Sequence, residues 1–439
     1  MYYPAKKMRG AFMEKLLDFK YKKINENKTG FFRNFIAGFQ VLFVAFGSLV
    51  LVPLITGLNA SVALFTAGVG TLLFQVVTGR KIPIFLASSF AFIAPIIYGL
   101  QTWGLSATLG GLMATGFFYV VLSFAVKKFG VDFVDRFFPP IVVGPVIAVI
   151  GLGLAPVAVN MAMGKTGDGA AVLFDYKYAI IISTLSLFTT LFVSIFAKGI
   201  FKLLPIVCAI FVGSVASLAL GIVDFAPLMK AAWFAVPPFT APSFNWQAIL
   251  FMLPVALAPS IEHIGDILTI GSVTGKNYLK DPGLDRTLLG DGLATTLASA
   301  LGGPPNTTYS EVTGAVVLTK NFNPVIMTWG AIIAIVLAFV EKLGVLLQTI
   351  PTPVMGGILI ILFGSIAVVG LNTLSKSGLD LTEPRNLIII SVILVFGIGG
   401  MSFGNAQISL KGVGLCAVGG VLLNALIPDK KQKDTTQEG

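Results

Sequence analysis

Lys81-Ile-Pro-Ile-Phe-Leu-Ala-Ser-Ser-Phe-Ala-Phe-Ile-Ala-Pro95 and Gly302-Gly-Pro-Pro-Asn-Thr-Thr-Tyr-Ser-Glu-Val-Thr-Gly314 decide how this chain folds. Each has proline near its start, runs on in extended-looking residues, and reaches hydroxyl side chains before an apolar stretch. Proline lacks an N–H and pushes the residue before it out of the helical region, so neither stretch reads as an unbroken helix. Both are embedded in a long series of apolar runs reaching from Phe35 to Pro428. The spacing predicts spans near 35–57, 61–79, 82–100, 105–126, 138–162, 178–197, 203–223, 246–272, 287–303, 304–319, 324–349, 352–374, 386–401 and 408–428. The interrupted stretches are third and tenth, each third in its half of a seven-plus-seven chain. Interrupted segments at corresponding places in two halves point to the binding site of a secondary transporter. Taken singly, either would read as a Pro-kinked or re-entrant span.

Composition supports the membrane reading. Hydrophobic residues make up 56% of the 439 and charged ones only 11%, against about 25% charged in a soluble chain. With a mean hydropathy of +0.91, there is more apolar surface than one soluble core can hide. Helices pair their backbone groups internally where no water reaches. The long unbroken runs disfavour a barrel, whose strands alternate over about ten residues. The net charge of +10 comes from short clusters between apolar runs, the pattern of cytoplasmic loops rather than of a nucleic-acid face. Cys208 and Cys416 sit inside apolar runs and read as small buried hydrophobes. The stretch from Met1 to Arg33 is too basic and too long for a signal peptide. It reads as a cytoplasmic arm with an amphipathic surface helix around Phe12 to Tyr21.

Charge also gives a topology. With the N-terminus inside, Arg80, Lys81, Lys127, Lys128, Arg136, Lys198, Lys202, Lys276, Lys280, Arg286, Lys320, Lys376, Arg385, Lys430, Lys431 and Lys433 all fall on the inner side. The outer connections near Gln101 and Asn405 are expected to be uncharged. Lys165, Lys177, Lys230 and Lys342 are milder exceptions. The alternation implies an even number of spans and two cytoplasmic termini.

Carboxylates within spans are the chemical candidates, because each costs about 2.5–3.5 kcal/mol at mid-helix. In Pro259-Ser-Ile-Glu-His-Ile-Gly-Asp266, Glu262 and Asp266 are four residues apart and share a helical face. Glu311 lies in the second interrupted stretch. Lysine and arginine are absent nearby, so at least one of these acids is expected to carry a proton for part of a cycle. The plainer alternative, a water-exposed helix end, suits Asp266 better than Glu262, since the run stays apolar through Ile270. His263, the single histidine, points about 100° away from Glu262. Asp291 reads either as a further buried acid or as a cap near the inner end. Gln40 is a lone amide in an apolar span, fit for substrate or for an interhelical hydrogen bond.

At these residues the chain resembles the nucleobase–ascorbate transporter (nucleobase:cation symporter-2) family, its bacterial uracil permeases above all, from Gln40 to about Leu423. The resemblance rests on Gln40-Val-Leu-Phe with Phe46-Gly47 and Val52-Pro53, Ala87-Ser-Ser-Phe-Ala-Phe92, Glu262-His-Ile-Gly-Asp266, Pro305-Asn-Thr-Thr-Tyr-Ser-Glu-Val-Thr-Gly314 with Thr319-Lys320, and Pro351-Thr-Pro-Val-Met-Gly-Gly357. It implies an all-α polytopic fold of about fourteen segments in two inverted seven-segment repeats. Short strand and half-helix breaks are implied in segments 3 and 10, with a core and a gate domain. The implied division is an arm over 1–34, core segments 1–4 and the start of the gate over 35–162, gate segments 6–7 over 163–223, core segments 8–11 over 224–349, gate segments 12–14 over 350–428, and a tail over 429–439.

The resemblance further implies that Glu262 and Glu311 hold a base, that Phe90 stacks on it, and that the backbone around Ser310 and Glu311 bonds its edge. Tyr309 and Gln40 join the site, Phe363 contributes from the gate, and Asp266 joins Glu262 and Glu311 in proton coupling. Uracil is the first substrate, xanthine or another oxopurine the second. No cofactor is implied beyond a coupling proton, and a homodimer through the gate is. The location would be the cytoplasmic, or inner, membrane. The chain departs from the family pattern at Val41, Asp266, Val312 and Phe363. Asp266 resembles the purine-type members, whereas Glu311 resembles the uracil permeases.

Other classes fit poorly. Neither His263-Ile-Gly-Asp266 nor Leu288-Leu-Gly-Asp291 is the Gly-x-Gly-Asp of an intramembrane protease, and HExxH and P-loop motifs are absent from the sequence. An anion channel would favour a basic path, and the candidate site is acidic.

Overall fold

The computed structural model describes residues 30–130, 136–309, 311–319, 321–404 and 409–427. The expected amphipathic arm, Ser310, Lys320, Asn405 and the basic tail lie outside them. Apolar runs become helices as the sequence predicts: α1 (Phe31–Thr56), α2 (Ala60–Val77), α3 (Ile93–Phe129), α4 (Pro140–Gly153), α5 (Ala155–Ala162), α6 (Tyr176–Phe196) and α7 (Pro205–Ala219) form the first half. After a short outer helix, α8 (Ala226–Lys230), the second half holds α9 (Trp246–Met252), α10 (Leu257–Thr274), α11 (Leu284–Ala300), α12 (Glu311–Thr319), α13 (Val325–Ala338), α14 (Glu341–Gln348), α15 (Thr352–Lys376), α16 (Pro384–Ile398) and α17 (Gly412–Leu426).

Gly104, at φ 78°, separates the third and fourth spans within α3, where the sequence places the connection near Gln101, because a left-handed residue without a Cβ lets the chain turn there. The eleventh span bends by 84° between α13 and α14. The fourteenth begins at Gly412, so Lys411 sits in the preceding connection, at the end of the bundle where an uncharged loop was expected.

The two interrupted stretches form strands, β1 (Leu86–Ser88) and β2 (Asn306–Thr308), which pair antiparallel with Leu86 opposite Thr308 and Ser88 opposite Asn306. Antiparallel pairing of equivalent segments is what two inverted repeats produce. A second small antiparallel pair, β3 (Ser402–Gly404) with β4 (Ser409–Lys411), precedes α17.

The helices pack in two groups. In one, α11 lies against α2 and α3, and α13 against α1 and α2; in the other, α15 lies against α4, α5 and α6, with α16 and α17 beside α4. Between the groups, α10 touches α4 and α17, and α1 touches α7. Small residues let the backbones approach. A Cβ on Gly116 would fall 2.5 Å from the Thr296 nitrogen, and one on Gly356 only 2.1 Å from the Ala162 nitrogen. Lys81 pairs with Asp281, and Asn424 Nδ2 donates to the Arg136 carbonyl at 2.9 Å, at the basic end of the bundle. At the other end the Ser243 N–H donates to the Ser106 carbonyl at 2.8 Å.

Candidate functional site

Non-helical backbone at membrane depth is tolerable only where it is buried in protein or lines a water-filled cavity, so its N–H and C=O groups need partners there. Here α2 and α11 supply the partners. Thr71 Oγ1 accepts from the Leu86 N–H at 3.0 Å, and Gln75 Nε2 donates to the Ile82 carbonyl at 2.9 Å. Asn306 Nδ2 donates to the Thr66 carbonyl at 2.9 Å, and Thr295 Oγ1 donates to the Asn306 carbonyl. Asp291 braces β2 from α11. Its carboxylate accepts from the Thr308 N–H at 3.1 Å and from Thr307 Oγ1 at 3.2 Å. The ladder continues through Ser89 N–H to the Pro305 carbonyl and Tyr309 N–H to the Phe85 carbonyl.

The strands deliver aromatic rings to one place. Phe90 follows β1, Tyr309 follows β2, and their centroids are 6.4 Å apart. Phe363, from α15 in the other helix group, meets Phe90 edge-on at 6.2 Å. Glu311 opens α12, and Glu262 lies on α10 within electrostatic reach of it. A helix start presents unpaired N–H groups beside that carboxylate. Although both acids sit at mid-span, Glu311 is exposed and Glu262 half-buried. Open space faces Gly265 and Gly314. From there exposed positions continue along one face of α10 through Thr269 and Ser272, and along α12 through Val317. A carboxylate facing lipid is too costly to persist, so the face that carries Glu311 is expected to meet water rather than lipid.

Behind the acids lies a buried polar network. Thr308 Oγ1 donates to Asp266 Oδ2 at 2.9 Å and lies 3.2 Å from His263 Nδ1. A hydroxyl has one proton; with Asp266 ionised, Thr308 accepts from His263, which fixes the Nδ1–H tautomer. His263 Nδ1 is also 3.7 Å from Asp291 Oδ1. His263 is fully buried, turned inward, and lies edge-on to Phe74.

Of the residues singled out in the sequence, Glu262, Glu311, Phe90, Tyr309 and Phe363 therefore converge, with Asp266 directly behind them. Gln40 is half-buried and lies about two turns, some 10 Å, nearer the basic end than Gly47, whose ideal Cβ would be 3.8 Å from the Tyr309 hydroxyl. Thr71 escaped the sequence reading, because a threonine inside an apolar run carries no signal of its own, and Thr308, within the quoted hydroxyl-rich stretch, was given no role of its own. Lys411 escaped it because it was counted inside a span. Beyond Phe90, toward the end opposite the basic loops, a cavity of about 330 Å³ lies between the two helix groups. Phe90 and Leu154 reach it from below, and Tyr98, Phe251 and Lys411 from above.

These features define a multi-pass membrane carrier built from two inverted seven-segment repeats, with the candidate site at the crossing of two half-helices. Comparison with known proteins agrees. A family model described as a permease family matches residues 32–404. A probable uracil permease of Pasteurella multocida (strain Pm70) is 59% identical over 90% of this chain and 93% of that protein. The uracil permease of Bacillus caldolyticus is 42% identical over 90% of this chain and 91% of its own length. Among solved structures, SLC26A9 superposes with a TM-score of 0.67 at 14% identity, covering 90% of this chain and 64% of that one, which speaks for the fold. The chain belongs to this permease family: it is a transporter, not an enzyme.

Proposed function

We propose that this chain imports uracil across the cytoplasmic membrane together with a proton, by alternating access. The observation that carries the reading is the convergence of Glu262 and Glu311 with Phe90 and Phe363 at the strand crossing, in a chain 59% identical to a probable uracil permease. Uracil is planar and neutral, with two N–H donors and two carbonyl acceptors. Carboxylates accept from its N–H groups, helix-start N–H groups donate to its carbonyls, and aromatic faces take its ring. Leaving one such group unpaired costs about 1–3 kcal/mol, so the partner pattern discriminates among bases.

Proton coupling is supported by Glu262 and Glu311, which make no ion pair with lysine or arginine among the described residues, and by the Thr308 hub. When Asp266 gains a proton it can itself donate to the Thr308 hydroxyl, whose own proton can then turn to His263 Nδ1 once the ring proton has moved to Nε2. The basic loops favour a cytoplasmic basic end, with both termini inside. A core of segments 1–4 and 8–11 would move against a gate of segments 5–7 and 12–14, as the two packing groups suggest. A homodimer through the gate belongs to the same proposal; the apolar face of Ile181, Leu185, Phe188 and Phe192 on α6 is available to a second copy or to lipid. A potential of 100 mV supplies about 2.3 kcal/mol per translocated charge, enough for tens-of-fold accumulation.

The test is uptake of radiolabelled uracil into proteoliposomes under an imposed pH gradient, with unlabelled uracil and xanthine as competitors. Gradient-driven uptake blocked by uracil alone supports the reading. Better competition by xanthine would transfer it to an oxopurine, the alternative that Asp266 favours.

A further inference from the structure

Side chains from both helix groups line the outer cavity, Tyr98 and Phe251 on one side and Lys411 on the other, with Trp103 packed against the two rings. Tyr98 and Trp103 come from the outer part of α3 and its turn, and Phe251 from α9. Their rings form a closed triangle, with centroids 4.8 Å apart for Tyr98–Phe251, 5.5 Å for Tyr98–Trp103 and 5.6 Å for Trp103–Phe251. Lys411, the residue capping α17, comes from the other group. Its Nζ lies 3.3 Å from the Tyr98 centroid and 5.8 Å from that of Phe251. Lys411 makes no ion pair among the described residues, so the ring faces are its partners. A second contact crosses the same boundary: Gln101 Nε2 donates to Asp168 Oδ2 at 3.3 Å, linking the outer turn of α3 to the α5–α6 connection. The Thr166 hydroxyl beside Asp168 holds its carboxyl below the usual carboxylate range, so this acceptor stays charged.

On the other side of Phe90, nothing lies within 4 Å of a Cβ placed on Gly265 or Gly314, and Glu311 is exposed there. The inner side of the site thus offers room, while the outer side is crossed by a cation–ring contact. We propose that Lys411 is a positioning residue for transport, latching the gate helices to the Tyr98–Phe251 aromatic face so that the outer cavity is closed while the inner path is open. This rests on the transport reading above. A cation on an aromatic face is attracted by the ring quadrupole, more strongly where water is partly excluded. The contact breaks when α17 moves away from α3 and α9, so it biases the resting equilibrium toward the inward-open form without touching substrate.

Accessibility of the cavity floor tests the latch independently of any substrate. Ala91 lies at that floor and is 2% exposed. In a Cys208→Ala, Cys416→Ala background, Ala91→Cys is modified from outside by a membrane-impermeant thiol reagent. Lys411→Met or Tyr98→Leu should each speed modification about 3- to 10-fold, the weight of one such contact. Lys411→Arg and Tyr98→Phe retain cation and ring and should leave it slow. Unchanged rates in the Met and Leu variants would overturn the latch, as would equal acceleration in all four. Uracil uptake by the same proteins is read separately: failure of the parent to take up uracil sinks the substrate reading and leaves the labelling result standing.

Discussion

On the proposed reading, removing either carboxylate of the Glu262–Glu311 pair takes an acceptor from one of the N–H groups of a bound base. We expect Glu262→Ala and Glu311→Ala each to abolish uracil uptake while the protein still inserts and purifies; normal uptake by both would reject the site. Thr308 acts differently. It sits between Asp266 and His263, and Thr308→Val keeps the shape while leaving both one partner short, at a cost of about 1–3 kcal/mol. Thermal unfolding in detergent should show a lowered midpoint for Val and a near-normal one for Ser. The pH profile of uptake should shift in Val alone. Unaltered stability and pH profile in Thr308→Val would show that the hub does not matter.

At the scale of elements, the close crossings are the sensitive points. Gly116 faces α11 so tightly that a Cβ would overlap Thr296 backbone, and Gly356 meets α5 in the same way. Larger side chains there force helices apart, and overpacking of this kind costs about 1–3 kcal/mol or more. Gly116→Leu and Gly356→Leu should therefore reduce the yield of monodisperse protein in size-exclusion chromatography. Gly314, with open space before it, should accept alanine with no loss of yield. Equal behaviour of the three would count against the crossing geometry. The span pattern was legible in the sequence at this scale because each element declares itself by a run of apolar residues. The break at Gly104 was legible as well, as the connection expected near Gln101, but the 84° bend after α13 was not, because a helix interruption inside an apolar run costs little composition.

For the whole molecule, the decisive feature is a path open on one side of the site and latched on the other. A bulky residue on the open side should block release without disturbing the fold. Gly265→Trp is expected to purify normally and bind uracil in equilibrium dialysis, yet to lose net uptake by at least tenfold, since its side chain projects into empty space. Undiminished uptake would mean that substrate leaves by another route.

Membrane residence, the count of segments, the places of the two interruptions and the acids Glu262, Asp266 and Glu311 were determined by the sequence itself. Each follows from local chemistry: the length of an apolar run, a proline without an N–H, a charge where charge is costly. Tertiary structure alone decided which of these meet. Antiparallel pairing of β1 with β2 brought Phe90 to Tyr309 across more than two hundred residues, and α15 brought Phe363 onto Phe90. It also turned His263 away from the site and into the Thr308 network, and set Lys411 over Tyr98. Such contacts depend on the packing of distant helices, which leaves no mark on the spacing of residues along the chain.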